Sequence, residues 1–168
     1  MLKLITLSFL SGFLSSLPFF SGRLWIFAWI GFIPLFILLK DKNPRQAFFA
    51  AFFTGVFFWS FTIFWLIHVT LFGLILLILY LALYFGVFGW AISFFKMYER
   101  GGFRFLCIPC LWVVLEYIRA HLLTGFGWAS PGYSQYLNLP VIQISDITGV
   151  YGVSFLVMTV NCAVFAAI

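Results

Sequence analysis

Glu116 and Arg119 are ionisable residues inside the apolar run from Pro109 to Leu123. Because they are spaced i to i+3, they share one face of a helix and can form an ion pair. Charged groups at membrane depth are costly and usually functional. Two interpretations follow. The pair fixes helix packing, or the planar guanidinium meets a lipid headgroup or orders the neighbouring loop.

The stretch from Thr124 to Pro140 follows directly and is rich in glycine, proline and aromatic residues. Glycine and proline stop a helix, so irregular backbone is expected, which membranes tolerate only inside protein or along a wet cavity. Trp and Tyr also populate the headgroup belt of membrane proteins, but their density on one loop favours a substrate-facing wall. The candidate substrate-binding residues are Glu116, Arg119, Phe126, Trp128, Tyr133 and Gln135.

The remaining reactive residue types do not indicate a catalytic or metal site. Cys107 and Cys110 form a C-x-x-C pattern, but no His or second Cys pair lies at metal-binding spacing. We interpret them and Cys162 as small packing residues, and the interfacial His121 as structural. The sequence therefore predicts no catalytic residue, no metal ligand and no cofactor.

The composition indicates that the elements carrying these groups lie in a bilayer. The chain is 65% hydrophobic and 8% charged, whereas soluble domains are about 45–50% apolar and about 25% charged. The net charge of +5 does not indicate nucleic-acid binding, because the basic residues occur in short runs between apolar segments. A length of 168 residues accommodates about six spans of roughly 20 residues each.

We therefore predict an all-α integral membrane protein, a polytopic bundle of about six transmembrane helices forming a single domain over residues 1–168. The predicted spans are 4–20, 24–39, 47–68, 71–95, 105–123 and 145–168, and the Gly/Pro/aromatic-rich loop is 124–140. Gly55 marks a point where a neighbouring helix can approach the third span closely.

The first segment has an alternative interpretation. It is short and also fits a secretory signal peptide, because small residues suited to a cleavage region occur at Ser11, Gly12, Ser15 and Ser16.

The loop charges predict the orientation, because Lys and Arg are retained in the cytoplasm. If the six segments alternate, seven of the nine basic residues fall on one side: Lys3, Lys40, Lys42, Arg45, Lys96, Arg100 and Arg104. Arg23 falls opposite, and Arg119 lies in or near the membrane. We predict a cytoplasmic N-terminus and a periplasmic loop 124–140 in a bacterial inner membrane.

Several stretches of the chain together resemble the membrane domain of apolipoprotein N-acyltransferases. They are PCLWVVLEYIR, LTGFGWASPGYSQ, QISDITGVYGVSFLVMTVN, WIGFIPLFILL and AFFTGVFFWSFTIFWL, so the resemblance covers essentially the whole chain. Family members usually carry GFPW where this chain has Gly125-Phe126-Gly127-Trp128. Losing the proline loosens this turn but keeps Trp128.

The resemblance implies transfer of a fatty acyl chain from a phospholipid, through a cysteine thioester, to the N-terminal amine of a diacylglyceryl-modified apolipoprotein. In the family this chemistry belongs to a nitrilase-like domain with a Glu-Lys-Cys triad, to which no part of residues 1–168 corresponds. The chain is expected to be a fragment or subunit that is inactive alone. It would bind membrane lipid, with Trp128, Tyr133 and Gln135 lining a lipid portal anchored by Glu116 and Arg119.

Two other functional classes stay open. A small transporter or channel would use the intramembrane charges along a permeation path and would be favoured by an inverted repeat, which we do not find in the sequence. A non-catalytic membrane scaffold would need no polar loop.

Overall fold

The computed structural model describes residues 2–98 and 103–168, which are mostly helical and contain no strand. They form seven α-helices: α1 Leu2–Phe20, α2 Ile33–Leu39, α3 Pro44–Thr62, α4 Leu71–Phe94, α5 Phe103–His121, α6 Leu139–Ile142 and α7 Ser145–Ala167. Three 3-10 segments, Gly22–Trp29, Phe64–His68 and Pro131–Gln135, connect them. The predicted all-helical class is confirmed.

Four helical stretches in the described part of the chain are long and apolar enough to cross a membrane. They are Leu2–Phe20, Gly22–Leu39, Leu71–Phe94 and Ser145–Ala167. The count of six therefore stays a prediction. The segment predicted as the third span, 47–68, is α-helical only to Thr62 and then continues as the 3-10 segment Phe64–His68.

Helices α3 and α4 pack closely along their lengths. A Cβ atom added at Gly55 would lie 2.9 Å from Phe85 Cβ and 3.0 Å from Ala82 Cα, so only glycine allows this spacing. The close approach predicted at Gly55 is thus confirmed. Small residues at helix contacts let backbones come together where lipid supplies no hydrophobic driving force.

The polar face of α1 is used in helix packing. Ser8 Oγ donates to Ala50 O of α3 at 3.1 Å, and Ser11 Oγ donates to Gly31 O at 2.7 Å. Both serines are buried. Burying a hydroxyl is costly unless it forms a hydrogen bond, and these two find backbone acceptors on neighbouring elements.

The second apolar stretch, Gly22–Leu39, is not one continuous helix: its 3-10 segment ends at Trp29 and α2 begins at Ile33. A side chain from α7 forms hydrogen bonds with backbone groups beside this break. The fully buried Asn161 donates from Nδ2 to Ala28 O at 2.8 Å and accepts at Oδ1 from Phe32 N at 2.9 Å. Irregular backbone at membrane depth persists only when its polar groups are satisfied by protein. One amide side chain satisfies two of them here.

An aromatic cluster fixes the position of α5. The Trp112 ring lies 4.7 Å from Phe32, 5.0 Å from Phe85 and 4.9 Å from Phe88 between ring centroids, in edge-to-face geometry. Such pairs add about 0.5–1.5 kcal/mol each beyond area burial. Because Glu116 lies one helical turn after Trp112, this cluster also sets the position of its carboxylate.

Candidate functional site

The end of α5 turns the chain back over its own last turn. Leu123 and Gly125 have φ values of 58° and 74°, and Phe126 N donates to Arg119 O at 2.9 Å. A Cβ atom at Gly125 would lie only 2.3 Å from Ala120 O, so this left-handed position requires glycine. The loop therefore begins folded against the helix that precedes it.

The Arg119 side chain holds that loop in place. The residue is 5% exposed, and Nη1 donates to Phe126 O at 2.6 Å and to Trp128 O at 2.7 Å. Nη2 donates to Ser130 Oγ at 3.0 Å. Three acceptors spread over five residues meet one planar guanidinium, a geometry that Lys cannot reproduce. This arrangement matches the interpretation in which Arg119 orders the neighbouring loop.

Glu116 has a different environment although it shares the helix face. It is 3% exposed, and Oε1 accepts from Trp112 Nε1 at 2.9 Å. The charges of Glu116 and Arg119 interact, yet no direct ion pair joins them among the described contacts. Glu116 Oε2 is buried and has no hydrogen-bond partner there. The buried hydroxyls of Ser154 and Ser130 lie near enough to interact with this carboxylate, so the chain itself also offers it donors.

A small cavity of about 20 Å³, room for about one water molecule, lies between α3, α4, α5 and the loop. Its walls are mainly apolar and aromatic, and both Glu116 and Arg119 line it. The remaining lining residues are Phe58, Trp59, Leu81, Tyr84, Phe85, Trp112, Leu115 and Ala129. Largely apolar walls with a few convergent polar groups are the lining of a small-molecule or lipid site, but such sites hold about 300–1,000 Å³, so a ligand could enter this cavity only if the surrounding side chains moved.

A row of four aromatic rings leads from the cavity wall to the surface of the bundle. Buried Trp59 lies 5.6 Å from Phe126, Phe126 lies 5.4 Å from Trp128, and Trp128 stacks on Trp65 at 5.5 Å. Trp128 is 56% exposed, and the Arg119 guanidinium lies 5.1 Å above the Trp59 ring. The four rings thus form a continuous line of contacts from the buried Arg119 guanidinium to the outer surface.

The structure separates Tyr133 and Gln135 although both lie on the 3-10 segment Pro131–Gln135. Tyr133 is 53% exposed, whereas Gln135 is fully buried. Gln135 Oε1 accepts from Trp29 Nε1 at 3.0 Å and from Asn138 Nδ2 at 3.3 Å. Its Nε2 donates to Trp25 O at 3.1 Å and to Ser134 Oγ at 2.8 Å. These four bonds engage both the oxygen and the nitrogen of the Gln135 amide.

Sequence reasoning did not identify Trp59, Trp65 and Ser130 as parts of this site. The two tryptophans lie in a phenylalanine-rich segment, where one more aromatic residue is readily interpreted as part of the hydrophobic core. Ser130 is one small residue in a polar loop. Ser130 lies eleven positions after Arg119 in the sequence, yet a hydrogen bond joins the two side chains. Only folding brings such distant positions together.

Comparison with known proteins identifies relatives along most of the chain. Residues 11–163 match the family model described as apolipoprotein N-acyltransferase N-terminal domain. Curated relatives named apolipoprotein N-acyltransferase include those of Geobacter metallireducens, 44% identical over 95% of this chain, Pasteurella multocida, 32% over 92%, and Vibrio cholerae, 30% over 88%. The chain spans 32%, 31% and 31% of these relatives, about a third of each.

Proposed function

The chain belongs to the apolipoprotein N-acyltransferase family, and from that premise we propose that it forms the lipid-receiving membrane part of such an enzyme. It would admit a phospholipid acyl donor and a diacylglyceryl apolipoprotein acceptor from the bilayer and position them for acyl transfer. The nucleophile would come from a part of the enzyme that corresponds to the remaining two thirds of its relatives. Alone, the chain would be inactive.

The observation that carries this proposal is the aromatic row between the cavity and the surface. A lipid approaching sideways from the bilayer would meet the exposed rings of Trp65 and Trp128 first. Tryptophan suits this position because its ring is apolar while its N–H can remain hydrated at the interface. Holding reactants in the right geometry can remove several kcal/mol from a barrier.

The contacts divide the six candidate residues by role. Phe126 and Trp128 would form the lipid path, with Tyr133 at its exposed rim. Arg119 would keep that path in shape through the carbonyls it binds. Gln135 would fix the far end of the loop to the 3-10 segment Gly22–Trp29, away from substrate.

Glu116 would offer Oε2, which accepts no hydrogen bond although the Ser130 and Ser154 hydroxyls lie near the carboxylate, to a donor group of a lipid that widens the cavity. The amine of the acceptor and the headgroup of the donor both carry such groups in the reaction implied by the family. A buried carboxylate recognises a donor strongly because leaving it unpaired is costly.

The proposed location is the bacterial inner membrane, with the N-terminus in the cytoplasm and loop 124–140 on the periplasmic side. The clustering of lysine and arginine at the opposite end of the bundle supports this orientation.

A chimeric enzyme that contains this chain tests the proposal, and its residues 1–168 keep the numbers used here. Residues 1–168 replace the matching third of the Geobacter metallireducens relative, and transfer of a fluorescent acyl chain to a diacylglyceryl peptide is measured. We expect an active chimera in which Trp128→Ala lowers the rate about tenfold or more while membrane insertion is unchanged.

Trp90→Ala is the matched control. Trp90 is also a partly exposed tryptophan, but it lies near the C-terminal end of α4 and is not part of the aromatic row. It should leave the rate within about twofold of the parent chimera. Equal rates for Trp128→Ala and the parent would remove Trp128 from the site. A correctly inserted chimera without activity would contradict the proposed role of the whole segment.

A further inference from the structure

The end of the bundle opposite the loop carries a groove of about 280 Å³ lined by three lysines. Lys3 lies in the first turn of α1, while Lys40 and Lys42 follow the end of α2. All three are exposed. Side chains from two separate parts of the chain thus surround one opening with three positive charges.

The same groove has an aliphatic wall. Leu4, Ile37 and Leu38 line it together with the amide side chain of Gln46, and no acidic residue is among its lining residues in the described part of the chain. Asp41 lies between two of the lysines in sequence, but it is not part of the lining. The groove is therefore cationic and aliphatic at once.

The turn that presents Lys40 and Lys42 is held by three hydrogen bonds. Lys42 N donates to Leu39 O at 3.1 Å, and Ser93 Oγ of α4 donates to Lys42 O at 2.5 Å. Asn43 Oδ1 then accepts from Gln46 N at 2.9 Å and caps α3. The backbone beneath the lysines is ordered before any ligand arrives, which lowers the ordering cost of binding.

We propose that this groove binds an anionic phospholipid, with the headgroup phosphate among Lys3, Lys40 and Lys42 and an acyl chain along Leu4 and Ile37. The retention of positive loops in the cytoplasm explains charge at this end. It does not explain why the charges converge over an aliphatic wall, which a soluble phosphate would not use. Basic pockets between transmembrane helices bind anionic headgroups in this way.

Native mass spectrometry of the full chain in detergent tests the site. The probes are phosphatidylglycerol, phosphatidylcholine of the same acyl chains, and inorganic phosphate. We expect phosphatidylglycerol to be retained preferentially. The triple variant Lys3→Gln, Lys40→Gln, Lys42→Gln should bind phosphatidylglycerol more weakly. The expected loss is about fivefold for each lysine removed, since each basic group near a membrane surface contributes about 1 kcal/mol.

Two matched variants separate a built site from general charge. Arg23→Gln, Arg45→Gln and Lys96→Gln together remove the same charge outside the groove lining, and binding should be kept. Lys3→Arg, Lys40→Arg and Lys42→Arg together keep the charge and should keep binding too.

Three outcomes would overturn the proposal. One is equal loss of phosphatidylglycerol in the two glutamine variants, which would indicate bulk charge. Another is equal retention of phosphatidylcholine. The third is displacement of the lipid by millimolar phosphate, on the order of a weak free-anion site. None of these readouts depends on acyl transfer, so the proposed enzyme function is tested separately.

Discussion

Arg119 lies at one end of the bundle with 5% of its surface exposed, whereas Lys3, Lys40 and Lys42 at the other end are exposed. The guanidinium gives its hydrogen bonds to Phe126, Trp128 and Ser130 of its own chain. The ammonium groups line a groove that is open to the surroundings. Positive charge therefore occurs in two different environments within this chain.

The difference follows from solvation. A buried cation loses its water, so it is stable only where protein groups replace that water, and the protein is then organised around it. An exposed ammonium keeps its water and contributes little to folding, but it remains available to an anion. Charge at the loop end should therefore control stability, while charge at the lysine end should control recognition.

Arg119→Ala should give the largest effect on stability. It leaves two carbonyls and a hydroxyl of the loop without their donor, so the free energy of unfolding should fall by about 3–5 kcal/mol. Unfolding in mixed detergent micelles would measure this, and limited proteolysis within 124–140 should accelerate. Lys40→Ala is the contrasting control and should change stability by less than about 0.5 kcal/mol. Similar losses in both variants would remove the distinction between the two ends.

Gln135→Ala should come next in size. The substitution leaves Trp29 Nε1 and Trp25 O without a partner at the far end of the loop and should cost about 2 kcal/mol. The exposed Gln143, bonded only locally to Leu139 O, provides the matched control. Gln143→Ala should stay within about 0.5 kcal/mol of the parent. A small effect at Gln135 would mean that the loop is held from its Arg119 end alone.

Trp112→Phe should have an intermediate effect, because it keeps most of the aromatic cluster and removes one donor. Glu116 Oε1 then loses its bond from the indole N–H, which leaves the carboxylate only the nearby hydroxyls of Ser130 and Ser154. A loss of about 1–2 kcal/mol is expected in the same unfolding assay. Trp90→Phe, at a partly exposed tryptophan, should be nearly neutral. No loss at Trp112 would indicate that Glu116 has another donor.

Gly127→Ala should give the smallest effect and the opposite sign. Gly127 does not have a positive φ, and an added Cβ would lie 3.8 Å from Ala120 Cβ, an ordinary contact. Alanine restricts the unfolded chain, so stability should rise by about 0.5 kcal/mol. Gly125→Ala, at a φ of 74°, should destabilise in the same measurement. A loss of stability at Gly127 would show that the loop needs glycine at this position.

The helical membrane class followed from sequence because it depends on composition. Apolar residues dominate the chain, and the polar exceptions at Glu116 and Arg119 stand out against that background. Helix ends were harder to place. The 3-10 segment Phe64–His68 continues the apolar pattern of α3, so hydropathy does not reveal where the α-helix ends.

The partners of the charged groups were not predictable in the same way. A spacing of three residues suggested that Glu116 and Arg119 bind each other, yet each binds elsewhere. Neighbours on a helix are set by local geometry, whereas the competing acceptors at Phe126 and Trp128 arrive only when the loop folds back. The sequence likewise does not reveal the partners of Gln135. In the structure its amide forms hydrogen bonds with Trp25 and Trp29, more than 100 residues earlier in the chain.

Hydrophobicity, charge distribution and the glycine-rich break after α5 were enough to specify a helical membrane protein with its polar chemistry near one loop. These properties depend on residue type and on short spacings, which the linear chain already contains. Folding decided that Arg119 organises the loop, that an aromatic row reaches from the cavity to the surface, and that three lysines share one groove. Such contacts join distant residues, and their geometry exists only once the helices have packed.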